Sequence, residues 1–253
     1  MKKIWSVAKY KLQYYGKGYT FVMPLIIICI FMRFMYSVKP MDVVSGYVIT
    51  VNFLFLFMTW IGMTETNREN RALEQIVELR VNKAWAYFAG KMLFLLMLSL
   101  IIAALCTVWP FVQNIIEKGT FFKREYLPED MVNGFLLNLG SAYSGVMLGS
   151  FLHPDVCKDR KTAIALTVLF ALLADLQGIL LLTKPVLKYI LWFLPNVALV
   201  GLHYGNEEYF KLDVSLGYFC ILMIYAVVYG IIGSLWQYKK RAYPTIKRKE
   251  RLI

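Results

Sequence analysis

The chain has 253 residues, of which 59% are hydrophobic and only 17% charged, against about half and about a quarter in soluble domains. An ordinary soluble domain is thereby excluded. Lys and Arg number 28 against 16 Asp and Glu, a net charge of +12, which suits a membrane protein with cationic margins or a nucleic-acid binder. The two differ in placement: loops on one side of the spans or one folded surface.

Residues 2–15 place Ile4, Trp5, Ala8, Leu12 and Tyr15 on one helical arc, with Lys2, Ser6, Lys9 and Gln13 opposite. This predicts an N-terminal interfacial helix over 1–18. It is read as a membrane anchor with snorkelling lysines and as an elbow that passes motion into the first span. An apolar helix of about 20 residues crosses a hydrocarbon core of about 30 Å. Six segments qualify: Tyr19–Val38, Val43–Met63, Tyr87–Phe111, Met131–Leu152, Thr162–Leu182 and Val214–Leu235. A seventh run, Val186–Val200, is shorter and broken by Pro195 and Asn196. It predicts a re-entrant hairpin within an outer cap over 183–213. The expected fold is all-α, one polytopic domain over 1–253 with six transmembrane helices.

Six spans put both termini on one side. The segments there (1–18, 64–91, 153–161 and 236–253) hold 20 Lys and Arg and 7 acidic residues, whereas the other side holds 8 of each with Arg33 counted there. The positive-inside rule then predicts a multi-pass plasma-membrane protein with both termini cytoplasmic. The positive charge is no nucleic-acid footprint, and the basic tail 236–253 is expected to meet anionic lipid headgroups. The first apolar run is span-length without a small-residue cleavage site, so no secretory signal is expected. Cys29, Cys106 and Cys220 fall in spans and Cys157 in a cytoplasmic loop, which indicates no disulfide framework. His153 and His203 fall at opposite faces, and no metal site is expected.

The stretch Glu65–Lys91, between spans 2 and 3, sets Leu73, Ile76, Val77 and Arg80 at helical spacing and has no Gly or Pro before Gly90. It predicts an amphipathic helix in a cytoplasmic loop over 64–86, whose apolar stripe needs a membrane surface or a soluble partner. The loop carries Glu65, then Arg68 and Glu69, then Leu73, Glu74, Gln75, Ile76 and Val77. Leu79, Val81, Asn82 and Lys83 follow, and Gly90 and Lys91 open span 3. With six spans and cytoplasmic termini, this pattern resembles the permease subunits of type-2 ATP-binding-cassette (ABC-2) exporters. The chain departs from that pattern at Arg71 and Ala72, where Gly-Thr is usual, and at Arg80, where Pro is usual.

The resemblance implies a coupling helix that docks on a separate ATPase subunit. ATP and Mg would be held by that subunit, since this chain has no GxxxxGK[ST] loop and would itself be no enzyme. The docking residues it implies are Glu65, Arg68, Glu69, Leu73, Glu74, Ile76, Val77 and Arg80. Glu69 and Glu74 are expected to pair with basic residues of the ATPase, and Leu73, Ile76 and Val77 to fill its groove. The further expected partners are a second permease subunit and membrane lipids. The expected cargo is an antimicrobial or cytolytic peptide or a drug, with lipid-linked glycan or lipid as the alternative.

Asp175 is the one acidic residue inside a span, and ionisable groups there are functional candidates by default. Arg33, on span 1, reaches a similar depth, so the two are expected to pair within one protomer or across a dimer; Asp175 facing a watery cavity is the alternative. Phe53–Met58 could line an apolar path or pack against helices. Trp85, Tyr87, Trp109, Trp192 and Trp236 fit aromatic belts at span ends. A membrane-embedded hydrolase around Ser144 and Gly145 lacks a histidine within a span, and a secondary transporter lacks visible repeats.

Overall fold

A computed structural model describes residues 2–19, 21–68, 71–152, 159–205 and 207–250, with the side chains of 67, 68, 71–73, 185 and 240–250 outside the description. The described chain is all-helical, without strands. In order the helices are α1 (Lys2–Lys17), α2 (Val22–Met35), α3 (Val43–Arg68), α4 (Arg71–Val81), α5 (Ala84–Ile116) and α6 (Pro128–Phe151). They continue as α7 (Arg160–Asp175), α8 (Gln177–Thr183), α9 (Lys188–Leu191), α10 (Val197–Tyr204) and α11 (Leu212–Glu250).

Each of the six expected span segments is helical, but they are not equivalent. Among the described residues three helices are long and apolar enough to cross a membrane: α3, α5 and α11, or up to five spans if each bent pair counts as one. The bent pairs are α1 with α2, turned by 76°, and α7 with α8, turned by 59°. On its own α2, with 14 residues, reaches only about 21 Å. The α7–α8 break falls at Leu176, directly after Asp175. Helix α6 is the central element, and polar and small residues (Asn133, Asn138, Ser141, Ser144 and four glycines) punctuate it.

The core is built where α6 lies along α3 in parallel. Ser141 Oγ donates to the Val51 carbonyl at 2.6 Å. One turn on, a Cβ at Gly145 would fall on the Phe55 carbonyl, and one turn further a Cβ at Gly149 would fall on the Thr59 carbonyl. From the other side Gly62 abuts the Val146 carbonyl in the same way. Small residues at i, i+4 and i+8 let two apolar helices approach to backbone contact, which is how helices pack where burial from water supplies little drive. Next to this seam Asn138 Nδ2 donates to Thr107 Oγ1 at 3.0 Å, tying α6 to α5. Leu222 of α11 packs over Gly140. Phe53 stacks on Phe31 of α2, while Leu54, Phe55 and Met58 are fully buried, so the Phe53–Met58 run serves helix packing.

The bundle has two unlike ends. At one, the loops before α3 and α6 are pinned by ion pairs Lys39–Glu117, Lys123–Asp42 (3.0 Å) and Arg124–Asp130 (2.7 Å). Arg124 is bidentate to the buried Asp130 and also donates to the Glu208 carbonyl. That hydrogen bonding is the largest cause of a guanidinium pKa raised above its ordinary value. Asp130 also accepts from the Leu127 N–H, capping α6. At the other end α1, α4, the start of α5 and the later part of α11 come together. The segment after α8 folds back on the bundle: Leu191, Leu194, Val197 and Val200 are buried in the core. Tyr225 and Tyr229 of α11 donate to the carbonyls of Trp192 and Phe193.

If the seam sets helix order, Gly145→Val should cost about 1–3 kcal/mol or more, since the overpacked atom is backbone that cannot move aside. Gly217→Ala in α11, where nothing lies within 4 Å, should leave the thermal midpoint unchanged or raise it. Melting both variants in detergent checks the contrast; equal midpoints would refute it.

Candidate functional site at the α4 junction

Helix α4 forms where the sequence sets apolar residues at helical spacing, and it closes at Asn82, which takes a left-handed φ of 53°. The Asn82 N–H returns to the carbonyls of Glu78 and Leu79, an ordinary helix terminus for Asn. Its last carbonyl region is held from outside the element: Lys3 Nζ of α1 donates to the Val81 carbonyl at 2.8 Å. Cations favour helix C-termini.

The inward face of α4 sits on a small cluster of Val7, Tyr87 and Phe88, packed by Val77, Val81 and Ala84. Beside it lies a buried polar contact. Tyr87 Oη donates to Glu74 Oε1 at 2.9 Å, and Lys91 Nζ stands 3.9 Å from the same oxygen. Glu74 is 5% exposed and Lys91 7%. Lys11 of α1 lies over the Tyr87 ring, 5.3 Å from its centroid. Gly90 is the crossing point of α1 on α5, where a Cβ would meet the Val7 side chain at 2.6 Å.

The expected docking residues therefore divide. Glu74, expected to pair with the ATPase, is buried and engaged by Tyr87 and Lys91. Val77, expected in the ATPase groove, is half-buried against α1 and α5. Ile76 is 59% exposed, and Arg80 is also exposed. Leu79, 78% exposed, joins that edge, and sequence reasoning had not placed it there. Glu65 is half-buried in α3, lining a hollow with Tyr15, Tyr19 and Trp60 at the α1–α2–α3 junction. Arg68 closes α3 with its side chain outside the description, as is that of Leu73, and Glu69 lies wholly outside the described residues. His153 and Cys157 lie outside them as well. Tyr87, expected in an aromatic belt, is 1% exposed, whereas Trp85 and Trp192 are exposed at 61% and 69%. Trp5 is exposed too, so the packed arc of α1 runs through Val7, Ala8 and Tyr15.

The expected Arg33–Asp175 pair does not form within the chain. Arg33 is exposed on α2, which packs on α5 and stacks Phe31 on Phe53 of α3, and Asp175 is not among its contacts. Asp175 is half-buried at the α7 terminus, with Oδ1 buried and without a hydrogen-bond partner among the described residues. Two residues on, the buried Gln177 donates weakly to the Leu191 carbonyl at 3.4 Å and to Asn196 Oδ1 at 3.3 Å. Ser144 Oγ donates to the Ser141 carbonyl at 3.0 Å within its own helix. His203 lies edge-on to Tyr204 in α10. Among the described residues no group of three His, Cys, Asp or Glu could hold a metal ion.

Arranged this way, α4 is a short lever: bolted to α1 and α5 on one face and bearing an apolar and basic edge on the other. The fold and site define an all-helical protein with three to five candidate membrane-spanning helices. Compared with known proteins, the chain matches no family model, no curated protein and no solved structure.

The buried contact predicts graded losses. Glu74→Ala removes the carboxylate that neutralises Lys91 and should cost about 3–5 kcal/mol. Glu74→Gln keeps an acceptor for Tyr87 and should cost less, about 1–2 kcal/mol. Thermal unfolding in detergent, with limited proteolysis across 64–84, measures both; an Ala variant as stable as the natural chain would overturn the assignment.

Proposed function

We propose that the chain is the membrane subunit of an ATP-driven exporter of the ABC-2 kind, in which α4 is the coupling helix. The observation that carries this reading is the two-faced α4: clamped by Lys3, Tyr87 and Lys91 to α1 and α5, yet presenting Ile76, Leu79 and Arg80 outward. A push delivered to that edge reaches α3 and α5 directly, because α4 lies between them in the chain. Leu79 and Ile76 would enter a groove of a separate ATPase subunit that holds ATP and Mg. Arg80 would lie at the rim of that groove.

In this reading all six helical segments belong to the membrane domain, with α4 and both termini in the cytoplasm. The segment from α8 through α10 is a re-entrant outer cap. Two such subunits work with two ATPases by alternating access, and an amphipathic peptide or drug is the favoured cargo. The chain would do no catalysis of its own.

Tagged chain purified from its native membrane should bring down a subunit with a GxxxxGK[ST] loop. Ile76→Asp with Leu79→Asp should lose that subunit at least about tenfold, since an interface anchor is worth about 2 kcal/mol or more. Helical content should hold, because both side chains are exposed. Undiminished co-purification and ATPase stimulation in the double variant would sink the proposal.

A further inference from the structure

Between the first turns of α5 and the later part of α11 lies an open groove of about 490 Å³. Its walls are Trp85, Ala89, Met92, Ile231, Leu235 and Tyr238, almost wholly apolar. A groove of that size holds a chain of methylenes better than a compact solute, and its walls stand on two of the three helices suited to cross a membrane.

The groove has a polar end. It shares Phe88, Met92 and Ser234 with a void of about 20 Å³ lined by Lys91, Ser150 and Gln237. Gln237 is 4% exposed, and its Oε1 is buried with no hydrogen-bond donor among the described residues. The neighbouring hydroxyls already donate elsewhere, Ser234 to the Gly230 carbonyl and Ser150 to that of Met147. A buried amide oxygen left so is costly, and the void has room for one hydroxyl or one water. A donor placed in the void would satisfy it.

The groove margin is cationic. Lys83 precedes the lining residue Ala84 and Lys239 follows Tyr238; both are exposed. Lys83 is also the N-cap of α5, a helix of 33 residues with no side-chain cap hydrogen bond, so the positive end of its dipole faces the groove mouth.

We propose that this groove is a binding site for an anionic phospholipid with a hydroxyl-bearing headgroup. The acyl chain lies along Trp85, Met92 and Leu235, the phosphate rests between Lys83, Lys239 and the α5 N-terminus, and a headgroup hydroxyl donates to Gln237 Oε1. The inference needs only that α5 and α11 cross a bilayer; it stands or falls apart from the exporter reading.

The test uses the full chain in nanodiscs containing either phosphatidylglycerol or phosphatidylcholine with brominated acyl chains, which quench nearby tryptophan. Subtracting the Trp85→Phe signal isolates Trp85. Expected is a preference for phosphatidylglycerol over phosphatidylcholine of at least about fivefold in half-quenching concentration. That preference should fall towards unity in Lys83→Gln/Lys239→Gln. It should weaken in Gln237→Leu and disappear with the groove filled in Ala89→Phe. The natural chain alone can overturn the site: equal quenching by the two lipids, or none by either because a second copy covers the groove or water fills the void, refutes it. So does a preference that survives the double lysine substitution.

Discussion

Everything else in this fold hangs on one line of contact, where three successive carbonyls of α3 face three small residues of α6. Val51, Phe55 and Thr59 present their oxygens one turn apart, and Ser141, Gly145 and Gly149 meet them with a hydroxyl or with no side chain at all. Two apolar helices in lipid gain little by hiding from water, so their association rests on van der Waals contact and on polar groups that find partners. Backbone contact over two turns supplies both. It fixes α6 at the centre, and that position lets α5 and α11 pack on its remaining sides. The price is an α6 too polar for a lipid-facing helix, which is consistent with its burial along nearly its whole length.

The two ends of the bundle solve their electrostatics differently. At the loop end the charges cancel locally: Lys39 with Glu117, Lys123 with Asp42, Arg124 with Asp130, Lys211 with Glu207. The exposed pairs among these contribute little. Arg124 with Asp130 differs, since its carboxylate is buried and bidentate, and it ties the loop before α6 to the first turn of α6 and to the loop before α11. At the α4 end the buried Glu74 stands beside Lys91, and Lys3, Lys9, Arg80 and Lys83 are exposed. Exposed cations are what an anionic surface attracts.

Much of this was legible in the sequence. Apolar run length located every major helix, because an uncharged stretch of that length has few other fates. Helix breaks were not legible: nothing local at Leu176 forbids continuation, and the bend follows from Gln177 and Gly178 packing against the folded-back segment. The facing of α4 was also hidden. Its sequence carries charge on both faces, so periodicity could not say that Glu74 turns inward; that is decided by Tyr87, Lys91 and α1, the last about 70 residues away in the chain. The small-residue period Ser141, Gly145, Gly149 went unread: only Ser144 and Gly145 drew notice, as a hydrolase pattern set aside for want of a histidine in a span.

The Arg33 and Asp175 case shows why depth is a weak guide to pairing. Helical rise gives distance along the bundle axis and says nothing of azimuth, and Arg33 stands exposed on α2 while Asp175 is half-buried at the end of α7. Asp175 stands instead at a helix terminus, where the bend at Leu176 opens the backbone. Gln177 and Asn196 lie within hydrogen-bond reach of each other nearby. A carboxyl at the C-terminal end of a helix opposes the dipole, and its Oδ1 has no donor among the described residues. Such a residue is retained at a cost unless something meets it in another state of the protein. In the exporter reading that state is the one in which the outer segment moves, since Gln177 already links the bend to Leu191 and Asn196 of that segment. A closing cap would then change the surroundings of Asp175 without α7 itself having to shift.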